Sequence, residues 1–327
     1  MSGPPLTEAL KSALADVARA LVKAKGPVSF YGVVKRPEAT RWDLAKGDEI
    51  VPGLDAVRRL GGGKAFEAFL AWDVRRHTLV VAKLLRPHLT CDANAVAALR
   101  REAAALDCFS HPVLPRLFDA HLGGERPLIV LELLDGPRLS TVIRRFGVSV
   151  EQVLPLALQL CSALHYVSVE GWVHLDVKPS NVILSSQPRL IDLSIARPVE
   201  DVRRLASPAG THRYMAPEQC ERASFGRIGA PADVWGLGVT LYEALARRRP
   251  FPDAPEGAVG RDRFPQLDAE PVPLAASVPD ELSEVVMQCL RRDPDARPTA
   301  AEVAAVIEPV EASLPRPRLG RMRPTDR

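Results

Sequence analysis

The chain lacks several marks that would place it quickly. Its 327 residues hold 5 cysteines, Cys91, Cys108, Cys161, Cys220 and Cys289. The count is odd and the spacing wide, with no Cys-x-x-Cys and no Cys/His pair at ligand distance, which argues against a disulfide framework and a zinc site. Reduced, mostly buried thiols in a cytoplasmic protein are the expectation. No uninterrupted apolar run reaches the ~18 residues that a membrane span needs. Glu8 and Asp16 interrupt the N-terminal apolar pattern, which excludes a signal peptide there. Charge of one sign is also missing: Lys+Arg 43 against Asp+Glu 40 leaves +3, no footprint of a nucleic-acid binder. Lysine itself is scarce. Only 8 of the 43 basic residues are Lys, and after Lys83 the chain uses Arg everywhere except at Lys178. A chain this partial to Arg points to Lys83 and Lys178 as places where a compact ammonium faces phosphate or carboxylate. No internal repeat is present.

What is there is a globular composition, 46% hydrophobic and 25% charged, on a chain long enough to bury a core without disulfides. Leu6, Leu10, Leu14, Val17 and Leu21 form an apolar helical stripe over 6–24. Residues 26–54, rich in Pro and Gly, read as a connector. Strand patterns follow at 57–60, 65–72, 78–85 and 127–134. An Ala-rich helix is expected at 92–108, then long helices at 150–170, 229–246, 280–291 and 299–307. A small β-rich part therefore precedes a larger helical part, an α+β order. The Pro- and Arg-rich tail from 309 to 327 is expected to be disordered.

The segment with the most chemistry is His174-Leu175-Asp176-Val177-Lys178-Pro179-Ser180-Asn181, followed by Leu190-Ile191-Asp192-Leu193-Ser194. A carboxylate can accept a hydroxyl proton, an ammonium can steady a phosphate, and an amide oxygen with a second carboxylate can hold a hard cation. The same residue types also make turns.

These segments resemble the catalytic loop and metal-binding triplet of eukaryotic-like, bacterial-type serine/threonine protein kinases. Further family motifs stand in the family's order. Leu60-Gly61-Gly62-Gly63 resembles the glycine-rich loop, Val80-Val81-Ala82-Lys83 the third-strand lysine motif, and Arg101-Glu102 the helix-C glutamate. Leu131–Gly136 resembles the hinge, Gly210–Glu218 the end of the activation segment, Asp233–Gly238 the start of helix F, and Arg292–Pro298 the motif closing the C-lobe. The resemblance implies a two-lobed protein kinase fold: an N-terminal extension 1–54, a kinase domain 55–308 and a tail 309–327. Within the domain it implies an N-lobe at 55–132, a hinge at 133–136 and a C-lobe at 137–308, with ATP in the cleft.

The resemblance also assigns roles. Asp176 is the base or substrate orienter, and Lys178 stabilises the transferred phosphate. Gly61, Gly63, Ala82, Lys83, Glu102, Glu132 and Leu134 bind ATP, with Lys83 on the phosphates and Glu102 as its partner. Asn181 and Asp192 hold Mg²⁺, with Mn²⁺ as an alternate. Thr211 faces the substrate in the activation segment, and Glu218, Asp233 and Arg297 are structural supports. ATP and protein substrates are the implied partners, and residues 1–54 are a candidate surface for a partner or self-association. Five positions depart from the family: Phe66 replaces the third loop glycine and Ala68 the following valine. Leu175 replaces the arginine before Asp176. Leu193-Ser194 replace Phe-Gly after Asp192. Phe66 and Ser194 leave a second reading open, a pseudokinase acting as an ATP-binding or scaffold module. A small-molecule phosphotransferase is disfavoured by the Ala-Pro-Glu, helix-F and Arg-Pro motifs.

Overall fold

A computed structural model describes residues 41–202 and 208–313. The expected N-terminal helix at 6–24 lies outside the described residues, as does the tail beyond Ser313. The chain forms two compact units. The first holds residues up to Val96 together with His121–Val130, and the second holds Ala97–Ala120 and everything from Leu131.

The first unit is built on strands β1 (Glu49–Val51), β2 (Leu54–Gly62), β3 (Phe66–Asp73) and β4 (Thr78–Leu85), paired antiparallel, with most of β6 (Leu128–Glu132); β5 (Leu117–His121) falls almost wholly in the second unit, and the strand order is β1-β2-β3-β4-β6-β5. Alternation sets the register. Val80, Ala82 and Leu84 point inward and are fully buried. The β3–β4 ladder is unbroken from Phe66↔Leu85 to Asp73↔Thr78. Its turn is closed by the Asp73 carboxylate, which accepts from the Arg76 amide at 2.8 Å and from Arg76 Nη1 at 2.7 Å.

The expected connector is shorter than its Pro and Gly content suggests, because Glu49–Val51 already pair with β2. Trp42 reaches this sheet as well. Its indole N–H donates to the Leu85 carbonyl at 2.7 Å, its amide donates to Glu67 Oε2 at 2.8 Å, and the Arg126 guanidinium lies 5.3 Å from its ring.

The second unit is helical: α1 (Ala93–Cys108, whose first turn belongs to the first unit), α2 (Leu139–Arg145), α3 (Val150–Val169), the single turns α4 (Val199–Val202), α5 (Pro217–Cys220) and α6 (Arg222–Phe225), α7 (Ala230–Ala246), α8 (Asp280–Cys289) and α9 (Ala300–Ser313). Short pairs β7 (Trp172–Val173) with β10 (Arg197–Pro198), and β8 (Val182–Leu184) with β9 (Pro188–Leu190), carry the loops. A capping box starts α3, in which Ser149 and Gln152 satisfy each other's end of the first turn. Helix α3 is long and apolar enough to cross a bilayer, yet half of it is buried where it packs against α7 and α9. Helix α9 runs to Ser313 through Pro309, so the tail begins later than expected. Pro309 removes one N–H in an exposed part of the helix, where water can satisfy the carbonyl left without a donor.

Helix α7 is buried nearly all round, from Ala232 to Tyr242. Gly236 lets it approach the catalytic segment: a Cβ there would lie 2.9 Å from both Cβ and O of Val177. Asp233 sits one turn earlier on the same face.

Candidate active site

In the first unit the glycine-rich segment is a tight turn rather than an open loop. Gly61 and Gly62 are still in β2, paired with Ala68 and Glu67. The Gly63 amide donates to the Phe66 carbonyl at 2.9 Å, and a Cβ on Gly62 would lie 2.6 Å from that oxygen. The close approach makes glycine necessary at Gly62, a position the family pattern leaves variable. Arg86 fastens the turn from below, its amide donating to Ala65 O at 2.9 Å and its Nε to Gly63 O at 2.7 Å. Glu67 is fully buried and takes Arg59 Nε at 2.9 Å together with the Trp42 amide. Sequence reading missed Trp42, Glu67 and Arg86.

Lys83 pairs with Ala68 across the ladder, and its ammonium lies 4.7 Å from the centre of the Phe66 ring. The residue in place of the third glycine therefore makes a cation–π contact with the phosphate-binding candidate, worth ~0.5–2 kcal/mol. Ala82, expected against adenine, is completely buried. In this conformation it belongs to the packed sheet and not to an open wall.

In the second unit the catalytic segment is held from α7. Asp233 accepts the amides of His174 and Leu175, each at 2.7 Å. Burial pushes the Asp233 carboxyl up to about 7, opposed by those two amide hydrogen bonds. Leu175 takes the left-handed backbone, φ 68, which costs a residue with a Cβ about 1–2 kcal/mol. Both its backbone groups are tied down, the amide by Asp233 and the carbonyl by Gln219 Nε2 at 3.0 Å. His174 is fully buried, and burial lowers its pKa despite Asp176 and Asp192 nearby, while its Nδ1 accepts the Asp176 amide at 3.3 Å.

Four expected residues meet at one carboxylate. Asp176 Oδ1 accepts from the Thr211 amide at 3.1 Å and from Thr211 Oγ1 at 2.7 Å. Its Oδ2 accepts from Asn181 Nδ2 at 3.1 Å and from the Lys178 ammonium, which also donates to Thr211 Oγ1. The side chains of Asp176 and Lys178 are only 11% and 7% exposed, so their attraction is weakly screened.

Asn181 also donates to the Asp176 carbonyl at 3.0 Å. With its N–H₂ group so used, its amide oxygen is left to face a cation. The β8–β9 register, with the Ile191 amide bonded to Asn181 O at 2.8 Å, brings Asp192 beside it. One hard amide oxygen and one carboxylate fit a divalent cation that keeps water or phosphate in its other positions.

Backbone strain falls on Asp192 itself, at φ 71, while Ser194 is not among the residues of positive φ. Replacing Ser194 by Gly therefore relieves nothing, and Ser194→Gly is expected to change turnover less than about threefold, a slight loss through added chain freedom. Steady-state kinetics with a fivefold rise would contradict this.

The end of the activation segment is locked to the same core. Gln219 Nε2 also donates to Ala209 O at 2.9 Å, and buried Gln266 donates to His212 O at 2.7 Å and Met215 O at 3.0 Å. Neither glutamine was signalled by the sequence, since an amide is chemically mute until its distant partners are known. Glu218 and Arg297 form a bidentate pair at 2.7 and 2.8 Å with both side chains fully buried.

Glu102 is buried on α1, so it is no solvated surface glutamate. Glu132 is not a free hinge carboxylate: Arg189 Nη1 meets it at 2.7 Å and the Arg116 amide at 2.9 Å. Its amide donates to Arg116 O at 3.1 Å, which leaves the backbone carbonyl for a base, and Leu134 is partly exposed two residues on. Cys161 is buried, and burial pushes its thiol up to about 12. Cys91 and Cys108, by contrast, are exposed.

Residues 54–306 match the protein kinase domain. The serine/threonine-protein kinase PknB of Mycolicibacterium smegmatis is 33% identical over 261 residues, 75% of this chain and 41% of its own length. PkaA of Streptomyces coelicolor, also a serine/threonine-protein kinase, is 36% identical over 244 residues, 72% of this chain and 44% of its own. The serine/threonine-protein kinase pkn2 of Myxococcus xanthus is 30% identical over 275 residues, 79% and 32% of the two chains. The chain thus spans less than half the length of these relatives. With the domain match over most of its length and the Asp176 cluster in the family's order, the chain belongs to the protein kinase family.

Proposed function

We propose that this chain is a serine/threonine protein kinase that transfers the γ-phosphate of ATP to protein hydroxyls. The observation that carries the reading is the cluster on Asp176. One nearly enclosed carboxylate is oriented by Thr211 and Asn181 and has an ammonium against it. In this reading Asp176 takes up or orients the substrate hydroxyl proton. Lys178 holds charge that develops on the transferred group, and Thr211 sets the angle of both. Asn181 and Asp192 hold the divalent metal, generally Mg²⁺ in this family, with Mn²⁺ as a substitute. That ion supplies neutralisation of phosphate charge and orientation of its oxygens. Gly61, Gly63 and Lys83 hold phosphates, and Glu102 belongs with Lys83. The backbone at Glu132 and Leu134 holds the base. Asp233, Glu218 and Arg297 support these groups and touch no substrate. A cytoplasmic location and a partner or self-association site in residues 1–54 complete the proposal.

The contact between Phe66 and Lys83 favours a second reading, a nucleotide-linked scaffold, because the ring covers the ammonium that phosphate needs. One substitution separates the two. Lys83→Met fills similar volume and keeps a side chain under Phe66. A kinase loses ~3–4 kcal/mol of transition-state stabilisation, about 10²–10³-fold in transfer rate. Phosphate transfer within threefold of wild type, or no transfer by either protein, would count against the kinase reading.

A further inference from the structure

The geometry points to an acidic-peptide specificity cleft: Arg213, Arg249 and Arg263 receive a carboxylate of the protein substrate, two to four residues from the hydroxyl that is phosphorylated. This names the substrate class for the kinase reading above and rests on it.

The three guanidiniums line one cleft with Phe251, Pro265 and Gln266. Among the described residues no carboxylate lines it. Asp253 ion-pairs with two of them, meeting Arg213 Nε at 3.1 Å and also Arg249. Two of the three guanidiniums, Arg213 and Arg249, thus share one carboxylate whose side chain is 53% exposed. A half-exposed carboxylate of this kind is readily replaced by another. Arginine offers a planar fork that matches a carboxylate in two hydrogen bonds. Arg263 is further set by contact with the His212 ring.

The cleft is wired to the reacting centre. Arg213 is two residues beyond Thr211, whose hydroxyl is 2.7 Å from Asp176 Oδ1. Two residues span at most roughly 7 Å of chain. A peptide with its hydroxyl at Asp176 therefore brings side chains about two to four positions away to these arginines. The cleft is also preorganised. Gln266 in its wall bonds to His212 O and Met215 O, and the neighbouring Tyr214 hydroxyl donates to Glu243 Oε2 at 2.7 Å. The arginines are thus held against a fixed segment, and little ordering remains to be done on binding.

The test uses the full chain with a set of Ser/Thr peptides, each an alanine background carrying one Glu or one Lys at successive positions on either side of the acceptor. One or more Glu positions within four residues should lower KM about tenfold relative to Ala, the worth of one charge-assisted hydrogen bond. The gain should shrink from low to high salt. Arg213→Ala with Arg249→Ala should erase the preference while leaving kcat on the alanine peptide near wild type. Arg213→Glu, an exposed position that keeps the fold, should turn the preference toward Lys. Equal KM for Glu and Ala peptides in wild type, or an unchanged preference in both variants, overturns the specificity cleft alone. Wild-type protein that phosphorylates no peptide in the set overturns the kinase reading beneath it.

Discussion

Asp176→Asn is expected to leave the chain folded and to reduce phosphate transfer by about 10²–10⁴-fold, the range for a positioned general base. The geometry explains why the change is so localised. The substituted oxygen can still accept from the Thr211 amide and hydroxyl, as Asp176 Oδ1 does at 3.1 and 2.7 Å. The new N–H₂ then replaces Oδ2, which now accepts from Lys178 and Asn181. Donor would face donor at two contacts, and the negative charge that orients Lys178 would be gone. Both proton uptake and placement of the ammonium suffer, so the loss appears in kcat. The ATP KM should move little, since Asp176 is not assigned to the nucleotide. A variant with kcat within tenfold of wild type would mean that another group orients the hydroxyl. Thermal melting of the variant within a few degrees of wild type excludes loss of fold as the cause.

Arg297→Lys is expected to be the most destabilising conservative change in the second unit. All five N–H donors of Arg297 are used. Nε donates to Arg291 O at 2.7 Å, Nη1 to Glu218 Oε1 at 2.7 Å and Pro231 O at 2.9 Å, and Nη2 to Glu218 Oε2 at 2.8 Å and Arg292 O at 3.0 Å. The guanidinium also lies 5.0 Å from the Trp235 ring, which stacks on Phe251. Lysine has three donors at one point and cannot make the fork. It would leave carbonyls without partners and Glu218 half-paired, with no water to compensate. Loss of a partner from a fully buried pair costs about 3–5 kcal/mol. For a domain of this size each kcal/mol moves Tm roughly 2–4 °C, so a fall of roughly 6–20 °C is expected. Glu218→Gln alone should cost less than Arg297→Ala, because four of the five donors keep an acceptor, three of them backbone carbonyls and one the remaining amide oxygen. Melting of Arg297→Lys within 2 °C of wild type would show that the pair carries no stability.

The catalytic segment was readable in the sequence because its chemistry is local. Asp176, Lys178 and Asn181 fall within six residues, and a short turn must bring them together. Thr211 could be placed only through the family resemblance, and the structure puts its hydroxyl on Asp176. Helices α1, α3, α7 and α8 and strand β4 were legible from apolar spacing. The supports were not legible, since they join distant residues of ordinary type. Trp42 meets Leu85 across 43 positions, and Gln219 meets Leu175 across 44. Phe66 could be seen as a missing glycine, but its place over Lys83 depends on the tightness of the Gly63–Phe66 turn. Ser194 could be seen as a missing glycine, but the left-handed backbone falls two residues earlier, at Asp192. Pro309 suggested a helix stop, yet a proline near an exposed helix end costs too little to end the helix.

Transfer of the labelled γ-phosphate of ATP, with Mg²⁺ and a mixed protein substrate, tests the central claim most directly. Wild-type chain should place label on serine and threonine hydroxyls, Asp176→Asn should place about 10²–10⁴-fold less, and omission of Mg²⁺ should abolish it. Wild-type protein that is folded and binds ATP with Mg²⁺, yet labels no more than Asp176→Asn, would contradict the kinase reading and leave the scaffold in its place.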